Sequence, residues 1–176
     1  MASDLDVVPH LDDLWRYARV LTRNNDMAED LVQEALARAL SLAATYDSSR
    51  PLLPWLIAII RNTYLAGLTR DNAERRRVSD LAMLAQSSEL PAQEHGADLV
   101  RVQRAMEALP AEQAEVLHLV GVLGFTYSDA GRVLGIPSGT VMSRLSRARS
   151  ALRQTLEMPV DRPAGLRVVG GQNESG

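Results

Sequence analysis

Between Gly139 and Arg153 the chain holds four arginines, Arg144, Arg147, Arg149 and Arg153, and no acid. Hydroxyls stand just before and among them: Ser138, Thr140 and Ser143. A guanidinium is a flat fork of donors that matches a phosphate or the O6/N7 edge of guanine with two parallel hydrogen bonds. Ser and Thr hydroxyls bond bases or phosphates. The chemistry offered is recognition of nucleic acid rather than bond making. Laid out at about 100° per residue, Val141, Leu145, Ala148 and Leu152 share one apolar stripe. Thr140, Ser143, Arg144 and Arg147 share a second, and Met142, Arg149 and Arg153 a third. An ordinary amphipathic helix with a solvated basic face would carry the same pattern.

A second group lies in the first half. Arg61, Asn62 and Arg70 share a segment with Trp55 and Tyr64, beside a loop Tyr46–Pro51 that holds Arg50. Cations interleaved with aromatic rings suit unstacked bases and a sugar–phosphate backbone. The other reading is that Trp55 and Tyr64 are core residues. A third group, Asp30, Gln33, Glu34 and Ala37, lies off the apolar stripe of its helix and forms an acidic surface, for which solvation alone is the plain reading.

The elements that must position these residues can be read from spacing. Residues 11–23 are predicted to be a helix with Leu11, Leu14, Trp15, Ala18 and Leu21 on one face. Asn24 and Asn25 break it. Asp26 is the expected N-cap of the next helix, with Glu29 three residues on. That helix should run to about Ala44 on a face of Met27, Leu31, Ala35, Leu36, Ala39 and Leu40. Pro54 suits the first turn of a third helix that turns Trp55, Leu56, Ile59 and Ile60 inward and ends near Arg70. Residues 71–98 are polar, with Pro91 and Gly96, and read as a linker that could include a short helix at Val78–Ala85. A second helical domain begins near Leu99. Val102, Ala105, Met106 and Leu109 share a face, Pro110 separates two helices, and Val116, Leu117, Val120 and Leu123 line the second. Thr126 is the expected cap of a short helix with Asp129 at its third position. Ala130, Val133 and Leu134 turn inward, Gly135 supplies a left-handed turn, Ile136 plugs the core, and Pro137–Ser138 starts the arginine-bearing helix. A helix, a short turn with Gly and a second helix have the spacing of a helix-turn-helix. The fold class is therefore all-α: two small helical domains joined by a flexible linker, the C-terminal one a helix-turn-helix. The tail 157–176, rich in Gly and Pro, is expected to be disordered.

Bulk properties exclude several classes. The 176 residues contain no cysteine, which removes disulfides and thiolate metal sites and fits a reducing cytoplasm. His10, His95 and His118 lack ligand spacing, so no metal or other cofactor is expected. The first residues have no apolar run of a signal peptide, and the longest apolar stretch, Pro51–Ile60, is too short to span a bilayer. There is no phosphate loop and no nucleophile–base pairing, so an enzyme acting on a small-molecule substrate is not expected. The net charge of −3 hides blocks: acidic at 1–48, basic at 50–77, acidic at 78–100 and basic at 101–153. All 19 basic residues are Arg, which a G- and C-rich genome would also produce.

D-M-A-E-D-L-V-Q-E-A-L-A-R-A-L (26–40) resembles the most recognisable segment of extracytoplasmic-function (ECF) sigma factors of the sigma-70 family. P-W-L-I-A-I-I-R-N-T-Y (54–64) resembles the helix that follows it. A-L-P-A-E-Q-A-E-V-L-H-L (108–119) and F-T-Y-S-D-A-G-R-V-L-G-I-P-S-G-T-V-M-S-R-L-S-R-A-R-S-A-L-R (125–153) resemble the family's C-terminal domain. The resemblance implies a region 2 at 1–70, a linker at 71–98 leading towards the polymerase active-site and RNA-exit channels, and a region 4 at 99–156. It implies that Asp30, Gln33 and Glu34 dock on the β′ clamp helices of core RNA polymerase, while the β flap is a further polymerase contact. Arg50, Arg61 and Asn62 would read and melt the minus 10 element of promoter DNA by capturing a flipped base. Ser138, Thr140, Ser143, Arg144, Arg147 and Arg149 would contact the minus 35 element. An anti-sigma factor is the implied regulator, holding the chain at the inner face of the membrane until a stress or envelope signal arrives. Met142 stands where some members carry Lys or Arg, and the loop S-S-R-P-L-L-P (48–54) lacks the usual Gly and Phe. Two other readings stand beside this one: a sigma-like decoy for an anti-sigma factor, and a stand-alone helix-turn-helix repressor.

Overall fold

The computed structural model describes residues 5–77 and 97–157, and among them there are seven α-helices and no strand. A 3-10 turn, Val8–His10, leads into α1 (Leu11–Thr22). The helices α2 (Asn25–Ser41) and α3 (Leu52–Arg77) follow and pack on α1 and on each other. The second group is α4 (Ala97–Glu107), α5 (Ala111–Leu117), α6 (Tyr127–Leu134) and α7 (Ser138–Glu157). The suggested short helix at 78–85 and the tail beyond Glu157 lie outside the described residues.

Helix α1 ends one residue short of the expected 11–23; Leu14 and Ala18 are buried as expected, Tyr17 is buried as well, and Leu11 is exposed. It stops where Arg23 takes a left-handed conformation, φ 54°. The start of α2 differs from the expectation. Asn24, not Asp26, is its N-cap: the Asn24 side chain accepts from the Met27 amide at 2.9 Å. Both residue types can cap, and only the one whose oxygen reaches an orphan amide three residues on does so. The buried stripe of α2 is also rotated. Ala28, Leu31, Val32, Ala35 and Ala39 face the core, while Met27 and Leu40 are 54% and 66% exposed. Ala28 is fully buried, so the face of α2 that meets the core is centred beside Met27 rather than on it. The helix ends at Ser41, short of Ala44, and a 3-10 turn covers Ala43–Thr45.

Helix α3 buries Leu56, Ile57, Ile59 and Ile60. It runs to Arg77, so the expected linker start at residue 71 falls inside a helix. Leu52–Arg70 is long enough, with mean hydropathy 1.2, to meet a length-and-composition test for a bilayer span, contrary to the count that stopped at Ile60. Leu56, Ile57, Ile59 and Ile60 of that span pack into the core with α1 and α2, while Leu65 and Leu68 are exposed.

In the second group Ala105, Leu109, Ala114, Val116, Leu117, Leu119 and Phe125 form the core with Ala130, Leu134, Val141, Leu145 and Ala148. Val120 and Leu123, expected to be inward, are half-buried. After α5 the chain widens into one π-helical turn, His118–Val122, which buries His118 and Leu119. The two groups are not separate in space. Helix α5 packs on α1, and α6 packs on α3.

Candidate nucleic-acid and polymerase interfaces

The helix-turn-helix forms as its residue types predict. Thr126 caps α6 by accepting from the Asp129 amide at 3.1 Å and donates its own hydroxyl to Asp129 Oδ2 at 2.6 Å. Asp129 is also paired with Arg132. Gly135 closes α6 with φ 67°, and the Ile136 amide donates to the Gly131 carbonyl at 3.0 Å. Gly131 answers to a second constraint. A Cβ there would lie 2.7 Å from the carbonyl oxygen of Ile136, so the turn can cross α6 this closely only because residue 131 has no side chain. Together these fix how α7 leaves the turn.

On α7 the buried stripe is Val141, Leu145 and Ala148, with Leu152 half-buried. Ser138, Arg147, Arg149, Met142 and Arg153 are exposed, and Thr140 and Ser143 are half-exposed. Ser143 Oγ donates to the Thr140 carbonyl at 3.0 Å. Arg144 is less free than its neighbours. Its guanidinium lies 2.6 Å from Glu112 Oε2 on α5, and only 23% of its side chain is exposed. The six residues predicted to contact the minus 35 element therefore share one helix and its start, and one of them is tethered by a carboxylate.

In the first group the loop 46–51 is ordered by its own contacts. Asp47 accepts from the Ser49 amide and hydroxyl and lies 3.2 Å from Arg50. The bonds from Ser49 hold its carboxyl below the usual range. Tyr46 donates to the Arg50 carbonyl, and its ring lies 5.2 Å from that of Trp55. Trp55 is half-buried and packs against the core, as its inward position on α3 predicts. Tyr46, Arg50, Pro51, Pro54 and Trp55 line a cleft of about 570 Å³ whose far wall is Asp129, Arg132 and Val133 of α6. Asn62 is exposed on α3. Arg61, one residue before it, is not. Its Nε lies 3.2 Å from Glu115 Oε1, and 20% of its side chain is exposed. The structure thus brings Arg50 to the aromatic cleft, leaves Asn62 open, and holds Arg61 in an ion pair with the other domain.

Asp30, Gln33 and Glu34 are all exposed on α2. Glu34 is shared by Arg38 at 2.9 Å and by Arg70 of α3 at 3.3 Å, whereas the interactions around Asp30 and Gln33 give no such tie.

Sequence reasoning missed the acids of α5. Glu115 also accepts from the Tyr17 hydroxyl of α1 at 3.1 Å. Tyr17 is fully buried, and burial, then the Glu115 charge, raises its pKa well above the ordinary value. Its ring stacks on His118, centroids 5.9 Å apart. Arg23 reaches the Leu109 carbonyl at 2.7 Å, and Arg19 lies 3.4 Å from Glu107. The acids at 112 and 115, three apart on a short helix, were visible in the sequence. Their partners, up to 98 positions away, were not. Among the described residues there is no group of side chains suited to a metal ion.

Comparison with known proteins gives the same two-part division. Residues 7–74 match the family model of sigma-70 region 2, and residues 99–152 match that of sigma-70 region 4. The chain is 36% identical over 154 residues to the ECF RNA polymerase sigma factor EcfG of Rhodopseudomonas palustris, covering 86% of this chain and 83% of that one. It is 33% identical over 147 residues to the ECF RNA polymerase sigma factor SigM of Mycobacterium tuberculosis, covering 84% and 73%. The solved structure of the sigma factor RpoE in complex with the anti-sigma factor NepR, from Bartonella quintana, matches with a TM-score of 0.75 and 32% identity, over 89% of this chain and 96% of that one. With its paired regions, its helix-turn-helix and these relatives, the chain belongs to the sigma-70 family of transcription-initiation factors, as an ECF RNA polymerase sigma factor.

Proposed function

We propose that this sigma factor works through three surfaces of its own. The exposed acidic face of α2, Asp30, Gln33 and Glu34, docks on the β′ clamp helices of core RNA polymerase, with the β flap as the contact of the C-terminal group. Arg50, Arg61 and Asn62, with the Tyr46–Trp55 cleft, take up an unstacked base and the backbone of the minus 10 element. The start and outer face of α7, Ser138, Thr140, Ser143, Arg144, Arg147 and Arg149, enter the minus 35 element. The first domain ends with α3 at Arg77 and the second begins with α4 at Ala97, and the site of action is the cytoplasm.

The observation that carries this reading is the pairing of opposite surfaces in one chain. Arginines and hydroxyls line a helix that follows a left-handed Gly135 turn, and an acidic helix face lies on the other domain. Four arginines on a net-acidic chain supply only part of the phosphate neutralisation that DNA binding rests on. A docking surface for a polymerase that itself holds DNA supplies the rest. Because the Bartonella quintana relative was solved with an anti-sigma factor, an anti-sigma protein is also proposed as a partner here, holding this chain inactive until a signal arrives.

The test is run-off transcription. Core polymerase with the purified chain is expected to give product from specific promoters that core polymerase alone does not give. No promoter-specific product over a promoter library would overturn the reading.

A further inference from the structure

Met142 is an apolar side chain that α7 leaves 54% exposed, near the start of the helix that bears the arginines. It lines a groove of about 390 Å³ between α7 and the first residue of α6, together with Tyr127, Ser146, Arg149 and Arg153. Among the described residues no acid lines this groove. The other flank of α7 differs, because there Arg144 lies on Glu112. The Tyr46–Trp55 cleft differs too, because its walls include Asp47 and Asp129. The groove is therefore a surface with an apolar floor and a cationic rim that no carboxylate neutralises, which is complementary to a polyanion.

The order of these residues along the chain matches what each part of a duplex offers. At about 100° per residue, Met142, Ser146, Arg149 and Arg153 fall within an arc of about 60°, on the α6 side of the buried stripe Val141, Leu145 and Ala148. In a helix-turn-helix the first residues of the second helix reach base edges, while the first helix crosses the backbone. Met142 has the first of these positions. Tyr127, at the start of α6, has the second. Arg149 and Arg153 lie about two and three turns further along the same face of α7, where phosphates are met. The side chain turned to the bases is thus the apolar one. Base edges in the major groove present donors, acceptors and one apolar group, the C5-methyl of thymine. A thioether chain laid on a donor or acceptor desolvates it and returns little. Laid on the thymine methyl, it buries apolar surface on both sides.

We propose that Met142 is a specificity-determining residue that reads a thymine of the minus 35 element through its C5-methyl group. Arg149, Arg153 and the Tyr127 hydroxyl hold the phosphates that set how deeply it enters. This rests on the assignment of α7 to the minus 35 element. It adds an apolar reader to a helix whose other proposed readers all act by hydrogen bonds.

The test uses holoenzyme assembled from core polymerase and the full-length chain, on promoters recovered from the library of the run-off assay. Each thymine of the minus 35 element, on either strand, is replaced in turn by deoxyuridine, which keeps the hydrogen-bonding edge and lacks the methyl. At one thymine the replacement should lower promoter use by about fourfold, the worth of one buried methyl group. Met142→Ala holoenzyme should lose a similar factor on the thymine promoter and be indifferent to deoxyuridine at that position. Met142→Arg should exchange the preference there for guanine, through the two-bond contact that arginine makes. Met142 is exposed, so thermal melts of both variants should stay within a degree or two of wild type. Minus 35 elements with no preferred thymine, or a methyl effect equal in wild type and Met142→Ala, overturn the proposal. So does a Met142→Ala loss that is the same on every promoter and matched by weaker binding to core polymerase, since the side chain then meets protein rather than DNA. Failure of the sigma reading itself would look different: wild-type holoenzyme would give no promoter-specific product.

Discussion

The Arg144 guanidinium of α7 lies 2.6 Å from the Glu112 carboxylate of α5, so a residue proposed to read DNA is already held by an acid of its own domain. The pair sets the direction of the arginine and competes with DNA for it. Arg144→Ala is expected to lower promoter use by about 10- to 100-fold, the worth of ~1–3 kcal/mol for a two-bond base contact. The loss should depend on the minus 35 sequence. Transcription from promoters with single substitutions in that element measures it. Equal loss on every sequence would make Arg144 a phosphate contact only.

Docking should be separable from DNA reading. Asp30→Arg reverses a charge on the exposed face of α2 and touches none of the buried stripe. It is expected to weaken binding to core polymerase at least tenfold, as like charges meet across a complementary surface, and to leave the melting temperature within a degree or two. Fluorescence anisotropy of the labelled chain against core polymerase gives the first number and a thermal melt the second. Unchanged polymerase affinity would remove Asp30 from the docking face.

The turn of the helix-turn-helix should tolerate no side chain at Gly131. An Ala Cβ would meet the Ile136 carbonyl oxygen at 2.7 Å, backbone against backbone, and α7 would have to shift. Gly131→Ala is expected to destabilise the chain by about 1–3 kcal/mol and to reduce minus 35 dependence along with it. Gly135→Ala, whose cost is the left-handed φ of 67°, should lose about 1–2 kcal/mol with less effect on DNA reading. Denaturant melts of both variants, with transcription alongside, separate the two cases.

His118 makes stability depend on pH. Burial, the largest cause, pushes its imidazole down to about 4; Asp13 opposes the shift and Arg16 adds to it. Among the described residues no partner reaches its buried Nε2. A group whose pKa is depressed by folding binds fewer protons folded than unfolded. Its contribution is fully present above the unfolded value of about 6.5 and is lost as pH falls through about 4. The loss reaches roughly 3 kcal/mol. His118→Phe keeps a ring against Tyr17 and removes the titration. The stability difference between wild type and variant should shift by about that amount between pH 7 and 4, as followed by denaturant melts. A difference that stays constant over that range would show His118 to titrate normally.

How much of this was legible in the sequence differs by element. The cap, turn and inward faces of α6 and α7 followed from Thr126, Asp129, Gly135 and the Val141–Leu145–Ala148 spacing, because each is a local constraint satisfied within a few residues. The start of helix α2 is not decided by residue type, since Asn24 and Asp26 carry equivalent capping chemistry and only the three-dimensional reach to Met27 decides. Its buried face departs from the apolar spacing because Ala28 carries little hydrophobic weight in a pattern yet is fully buried. The exposed or half-exposed residues predicted on α2 and α7 stand where the spacing put them. What the sequence did not disclose were the acids that hold Arg61 and Arg144. A Glu on an amphipathic helix reads the same whether water or an arginine from elsewhere in the chain faces it.

Glu34 has one further consequence. It lies on the surface proposed to meet polymerase and also holds Arg70 in the second half of α3. A polymerase group that takes Glu34 for itself releases Arg70, a cation on the same helix as Asn62. Whatever free energy Arg70 then gains on DNA is shared by both equilibria: DNA tightens polymerase by the factor by which polymerase tightens DNA. The Glu34–Arg70 pair is exposed, so that factor is small. Its sign follows from the proposed docking face: it favours the ternary complex over either binary one.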